Sequence, residues 1–250
     1  MLNTPDPIAF TIFGLDVRWY GVLVALAIAV AIIWGYVRFP KHGMKSDDLL
    51  DAVIIAVPLG IIGARLYYVL FRWQYYAGDP ASVFNIRGGG LAVHGGLILG
   101  FLAAYFVCRH KKISFLDSLD TVAPGIALAQ AIGRWGNFFN GEAHGGPTDL
   151  PWSVMIDGTG YHPTFLYESL WCLALFFVLW KIDDSKRFPG QIICLYGIFY
   201  SVERFFVEAL RTDSLMIGPF KQAQVLSLVV IALCAVLYHY LKKKNAQTNG

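Results

Sequence analysis

The chain has 250 residues, 56% of them hydrophobic and 15% charged, with a mean hydropathy of +0.54. That balance excludes both a disordered chain and an ordinary soluble domain. The net charge of +3 is too small to point to a partner by itself, so the distribution of charge carries the information.

Several windows of about 18–22 residues are mostly apolar, enough to cross a ~30 Å hydrocarbon layer as helix. Seven such spans are expected, near residues 19–38, 49–70, 91–109, 117–136, 164–181, 190–210 and 221–241. The first 17 residues carry Asp6 and Asp16 but no Lys or Arg, the wrong flank for a cleaved signal peptide. Basic residues follow the first, third, fifth and seventh spans: Arg38, Lys41 and Lys45; Arg109, Lys111 and Lys112; Lys181, Lys186 and Arg187; Lys242, Lys243 and Lys244. The opposite side holds Arg18, Arg72, Arg87, Arg211 and Lys221. The positive-inside rule then puts the N-terminus outside and the C-terminus in the cytoplasm. The expected fold is all-α: one polytopic membrane-embedded helix bundle over 1–250, with a small outer-face cap at 137–163 between the fourth and fifth helices. The terminal Lys run reads as a cytoplasmic anchor and not as a nucleic-acid patch.

Trp19 and Tyr20 open the first span as interfacial aromatics, and Tyr20 can alternatively point inward to a head group. The second span repeats Ala52, Ala56, Gly60 and Ala64, a small-residue stripe that admits a close neighbour helix. Arg65 follows it, either snorkelling to the interface or entering a pocket. The third span opens on Gly88-Gly-Gly-Leu-Ala-Val-His94-Gly-Gly. His94 is there a candidate for proton transfer near neutral pH, against the plainer role of a packed histidine. Cys108, Cys172, Cys194 and Cys234 lie singly in apolar spans and read as packing residues.

The fourth span starts with Asp117 and Asp120, placed to serve its own helix dipole. It ends in Gly133-Arg-Trp-Gly-Asn-Phe-Phe-Asn-Gly-Glu-Ala-His-Gly145. An arginine at mid-membrane costs ~2.5–3.5 kcal/mol, so Arg134 calls for a partner or a ligand. Asn137 lies three residues on and shares its face if the helix continues. Asn140 and Glu142 add polar groups on a glycine-punctuated bend. His162-Pro163 launches the fifth span, where Glu168 needs a partner in lipid. In the sixth span Arg204, Glu208 and Arg211 follow helical spacing as a ladder. Arg204 and Glu208 read as an internal ion pair, with Arg211 freer to meet an anion. Arginine grips phosphate bidentately and stays charged, so these residues suggest a phospholipid-like site. No Walker loop, zinc motif, dinucleotide fingerprint or GxSxG is present.

The stretch from Gly133 to Gly145 resembles the signature of the bacterial prolipoprotein diacylglyceryl transferase family. Trp19-Tyr20-Gly21, His94-Gly95-Gly96, His162-Pro163, Leu166-Tyr167-Glu168, and Glu208 with Arg211 ahead of Gln224-Val-Leu-Ser227 fit it in order. The resemblance implies a multi-pass enzyme of the bacterial cytoplasmic membrane. It implies transfer of the diacylglyceryl group of phosphatidylglycerol to the lipobox cysteine of a preprolipoprotein. Glycerol phosphate is the co-product, with no metal or other cofactor and no nucleic acid. It implies His94, Arg134 and Arg211 as catalytic residues, with Arg134, Asn137, Glu142, Tyr20 and Gly145 on the lipid. Asn140, Glu168, Arg204 and Glu208 are supporting. Family members often carry a proline shortly after the last arginine, where this chain has Thr212-Asp213. The rival from another class is a lipid or small-anion transporter using the buried Arg and Glu; the internal repeats common in transporters are not found. A lipid phosphatase would need a nucleophile or metal ligands, for which no cluster is apparent.

Overall fold

The computed structural model describes residues 2–3, 5–85 and 89–248. Arg87 and Gly88 lie outside the described residues. Long helices dominate: α1 Trp19–Arg38, α2 Ser46–Phe71, α3 Val93–Lys111, α4 Phe115–Phe139, α5 Thr164–Asp183, α6 Gln191–Leu210 and α7 Gln222–Thr248. Each begins within a few residues of an expected span. Five stretches are long and apolar enough to cross a membrane: Trp19–His42, Ser46–Phe71, Val93–Lys111, Thr164–Asp183 and Gln222–Gln247. The other two helices, α4 and α6, carry Arg134, Asn137, Glu203, Arg204 and Glu208. Their polar residues lower the hydropathy that would mark a span. Large apolar side chains instead lie bare on the outsides of other helices, among them Ile33, Ile54, Leu70 and Val236. Water would not tolerate so much exposed apolar surface, and lipid covers it at no cost. The protein is a helical membrane protein.

The all-α expectation has no strands, yet short strands occupy the segment before α1 and the connections α4–α5 and α6–α7. β1 Leu2–Asn3 pairs parallel with β4 Val154–Ile156, which pairs antiparallel with β5 Thr159–Tyr161. β2 Ile8–Ile12 and β3 Leu15–Arg18 form a hairpin turned by Phe13 and Gly14, both at positive φ. Such a turn matches the twist of the two strands. β6 Met216–Ile217 and β7 Phe220–Lys221 form a second small hairpin ahead of α7.

The chain groups into two compact units, Met1–Trp34 with Leu119–Gly250, and Gly35–Ser118. In the smaller unit α2 and α3 touch backbone to backbone. A Cβ on Gly63 would stand 2.5 Å from the Gly95 carbonyl oxygen and 2.6 Å from Leu99 Cβ. The small-residue stripe of α2 thus serves close approach, with Gly63 added to it. Arg65 is buried and donates to the carbonyls of Ser82 (2.8 Å), Val83 (2.7 Å), Gly89 (2.8 Å) and Gly90 (3.0 Å). It neither snorkels nor enters a pocket: it clasps the segment that leads to α3.

In the larger unit Ala123, Ala127, Leu175, Phe176, Leu179 and Ile192 form a buried core shared by α4, α5 and α6. Asp120, fully buried, accepts from the backbone N–H of Gly190 (2.8 Å) and Ile193 (2.9 Å). It therefore serves the start of α6. The four cysteines are all free, and three are buried.

Candidate functional site

The helix α4 runs on through Phe139, so Arg134 and Asn137 do share a face one turn apart. Trp135 fixes that face: its indole donates to Ser169 Oγ at 3.2 Å, and Ser169 donates to the Ala131 carbonyl at 2.8 Å. Phe138 stacks on Phe165. These contacts lock α4 to the first turns of α5 and hold the Arg134 side chain toward α5 and α6.

There Arg134 Nε pairs with Glu168 Oε2 at 2.8 Å, and Nη2 donates to the Tyr200 hydroxyl at 3.1 Å. The Glu168 side chain is 2% exposed and its other oxygen takes Arg204 Nη1 at 2.6 Å. Arg204 Nη2 reaches Glu208 Oε2 at 2.5 Å, an i,i+4 pair on α6. The result is a chain of alternating charge, Arg134–Glu168–Arg204–Glu208, drawn from three helices. Two cations and two anions balance. Arg134 Nη1 has no protein partner among the described residues. One corner of a guanidinium, already oriented by its neighbours, is therefore open to an anion.

Arg211 is not the third rung of a ladder on α6. The helix ends at Leu210, and Arg211 turns to Asp213, with Nε to Oδ1 at 2.9 Å and Nη2 to Oδ2 at 2.7 Å. That bidentate bond raises the affinity of Arg211 for its proton and holds the Asp213 carboxyl below its ordinary value. The Asp213 side chain is 54% exposed, so water competes for it and the pair is easily exchanged. Lys221 closes the end of α6 by donating to the carbonyls of Glu208 (2.8 Å), Ala209 (3.2 Å) and Arg211 (2.6 Å).

After α4 the backbone turns back. Asn137 Nδ2 and Asn140 Nδ2 both donate to Glu142 Oε1, each at 3.2 Å. Gly145 crosses between the start of α5 and the end of α6. Its N–H donates to the His162 carbonyl at 2.9 Å, and it bridges to Arg211. A Cβ there would stand 2.7 Å from His162 Cβ and 3.1 Å from the Leu210 carbonyl. With its N–H spent, Gly145 positions Arg211 and offers no donor of its own to a ligand. Tyr20 lies on Gly136, where a Cβ would stand 2.8 Å from its ring, and Trp19 stacks on Phe139 at 5.1 Å. The start of α1 is thus docked against the signature.

Of the residues singled out from the sequence, Tyr20, Arg134, Asn137, Asn140, Glu142, Gly145, Glu168, Arg204, Glu208 and Arg211 all belong to the larger unit. His94 belongs to the smaller one. It sits exposed in the first turn of α3, with its ring 6.1 Å from that of Tyr67. Tyr200, Glu203 and Asp213 are not among the residues that the sequence marks as candidates. Tyr200 lies four residues before Arg204, and that helical spacing is the available signal. Asp213 has no periodic signal, because it lies past the helix end.

The prolipoprotein diacylglyceryl transferase family matches residues 7–240. The chain belongs to that family. It is 52% identical over 240 residues to the phosphatidylglycerol–prolipoprotein diacylglyceryl transferase of Clostridioides difficile (strain 630), covering 96% of this chain and 97% of the relative. Proteins of the same name from Finegoldia magna (45% identical, 96% and 97% covered) and Gloeobacter violaceus (44% identical, 98% and 96% covered) are similar across comparable lengths. The transferase signature and the charge chain coincide at Arg134. The family's pattern therefore falls where three helices bring their charges together around the buried Glu168.

Proposed function

We propose that this enzyme transfers the diacylglyceryl group of phosphatidylglycerol to the thiol of a preprolipoprotein lipobox cysteine. The observation that carries the reading is the Arg134 guanidinium, oriented by Glu168 and Tyr200 and left with Nη1 uncommitted. The names of the relatives supply the two substrates.

All seven helices cross the bacterial cytoplasmic membrane on this reading, with the N-terminus outside. The segment 137–163, with its β4–β5 hairpin, forms the outer cap. α4 and α6 cross despite their charges because those charges neutralise one another inside the bundle.

The reaction is a displacement at the glyceryl carbon that bears the phosphate. The thiolate sulfur forms the C–S bond, the C–O bond breaks, and its electrons leave on the phosphate oxygen as glycerol phosphate. Arg134 binds the phosphate through its open corner. Arg211 leaves Asp213, an exposed partner, and meets the charge that grows on the departing group. Asn137 and Glu142, tied together with Asn140, orient the head group, and Tyr20 lines the entrance. A free thiol of pKa ~8.5 is only a few per cent ionised at neutral pH, so the proton needs an acceptor. By residue type the candidate acceptor is His94, directly or through water.

The test is an assay in detergent or nanodiscs with phosphatidylglycerol and a lipobox peptide, following thioether formation by mass spectrometry. Stoichiometric thioether and glycerol phosphate are expected. Glycerol phosphate without thioether would mean hydrolysis, and movement of intact lipid with neither product would mean a transporter.

A further inference from the structure

One buried group near Arg134 has no role in the proposed reaction. Glu203 is 4% exposed, and neither of its carboxyl oxygens has a hydrogen-bond partner among the described residues. It sits on α6 between Tyr200, which Arg134 holds, and Arg204, and it lies within electrostatic reach of Arg134, Arg204 and Glu168. Its neighbours do not need it. Arg134 and Arg204 are already balanced by Glu168 and Glu208. A charge on Glu203 would therefore have no counter-ion, and a phosphate bound at Arg134 would deepen the excess. Burying an unpaired polar group is costly, so such a group is a candidate for a ligand's partner.

Building on the phosphatidylglycerol reading, we infer that Glu203 is the binding residue for the hydroxyls of the lipid's head group. The head group of phosphatidylglycerol ends in two hydroxyls on adjacent carbons, one and two bonds beyond the carbon that bears phosphate. A carboxyl group has two oxygens side by side and can exchange hydrogen bonds with both hydroxyls. Its nearness to Arg134 suits a ligand whose phosphate and diol are only a few ångströms apart. A hydroxyl pair also suits the charge balance, because it adds none. A head group without hydroxyls would leave both oxygens as bare as they are now, and a site built to bond a hydroxyl discriminates strongly against its absence.

The experiment compares phosphatidylglycerol with a phospholipid of identical chains whose head group is a plain propyl ester, as donors to a lipobox peptide. The wild type is expected to prefer phosphatidylglycerol by at least ~10-fold in kcat/KM. Glu203→Leu is expected to drop the phosphatidylglycerol rate to that of the propyl lipid while leaving the propyl rate within about twofold. Equal slowing of both lipids, or an unchanged preference, overturns the inference. Glu203→Gln keeps the shape and one acceptor, and decides the matter if the Leu variant does not fold. It should narrow the preference several-fold, and an intact preference counts against Glu203. Should wild type transfer from neither lipid, the proposed reaction fails separately. Retention of each lipid in native mass spectrometry still reads the site: selective retention lost in the variant supports it, and equal retention by wild type overturns it.

Discussion

Arg65 is a buried arginine and Arg134 a half-buried one, each within the last two turns of a long helix, and the sequence presents them alike. The structure separates them by what their nitrogens hold. Arg65 spends Nε, Nη1 and Nη2 on four backbone carbonyls of the segment before α3. Those carbonyls are neutral, fixed and internal, so the side chain is a clasp. Arg134 meets one carboxylate and one hydroxyl and keeps a nitrogen in hand. A cation withdrawn from water becomes a candidate site through the inventory of its partners.

That contrast can be broken most forcefully at Glu168. Glu168→Gln leaves one acceptor oxygen where Arg134 and Arg204 each use one, and it strips a buried counter-charge from both. A loss of ~3–5 kcal/mol in stability is expected, read as a fall in Tm of the detergent-solubilised protein. If the variant melts and turns over like wild type, the charge chain does not organise Arg134, and the distinction from Arg65 collapses.

Arg134→Lys retains charge but not the planar fork: its three donors sit on one nitrogen and do not span Glu168, Tyr200 and a phosphate as a guanidinium does. A drop in kcat/KM of ~10²–10³, equivalent to ~2.7–4 kcal/mol of transition-state stabilisation, is expected in the thioether assay. Wild-type turnover would remove bidentate phosphate binding from the mechanism.

The matching change at the clasp, Arg65→Lys, should act differently. It forfeits most of four hydrogen bonds, for ~1–3 kcal/mol of stability. Faster proteolysis between Arg72 and Asn85 should accompany less than ~10-fold loss of kcat/KM, under ~1.4 kcal/mol. Loss of turnover with an unaltered cleavage rate would place Arg65 at the chemistry after all.

The smallest effect belongs to Asp213. Its carboxyl is held below the ordinary value by Arg211, so the pair is complete at neutral pH. It is lost only as the pH falls through that lowered value. Asp213→Asn releases Arg211 at every pH. A fall of ~2–3-fold in KM for the lipid is expected at pH 7, within the ~0–1 kcal/mol of an exposed pair. A rise in KM would show that Asp213 aims Arg211 at the substrate instead of competing for it.

Much of the larger unit is legible in the chain's own residues. The glycine-rich signature announces the turn after α4, and Arg134 and Asn137 declare a shared face by their spacing. Helical spacing overstates the reach of the ladder on α6, because Arg211 lies one residue past the helix and turns away to Asp213. For Asp120 and Arg65 the local rules suggest a helix dipole and snorkelling, where both residues serve segments distant in sequence. Local rules see only neighbours within a turn or two.

What the sequence alone determined is the set of long helices and the residue types they carry, since hydropathy and helical period are properties of neighbouring positions. Which face meets which is not such a property. Glu168 became the shared anion of Arg134 and Arg204 only when α4, α5 and α6 packed around their alanine-lined core, 34 and 36 residues apart along the chain. That packing also left Glu203 buried with no hydrogen-bond partner among the described residues, because the surrounding charges had already paired, and only the assembled bundle could make it so.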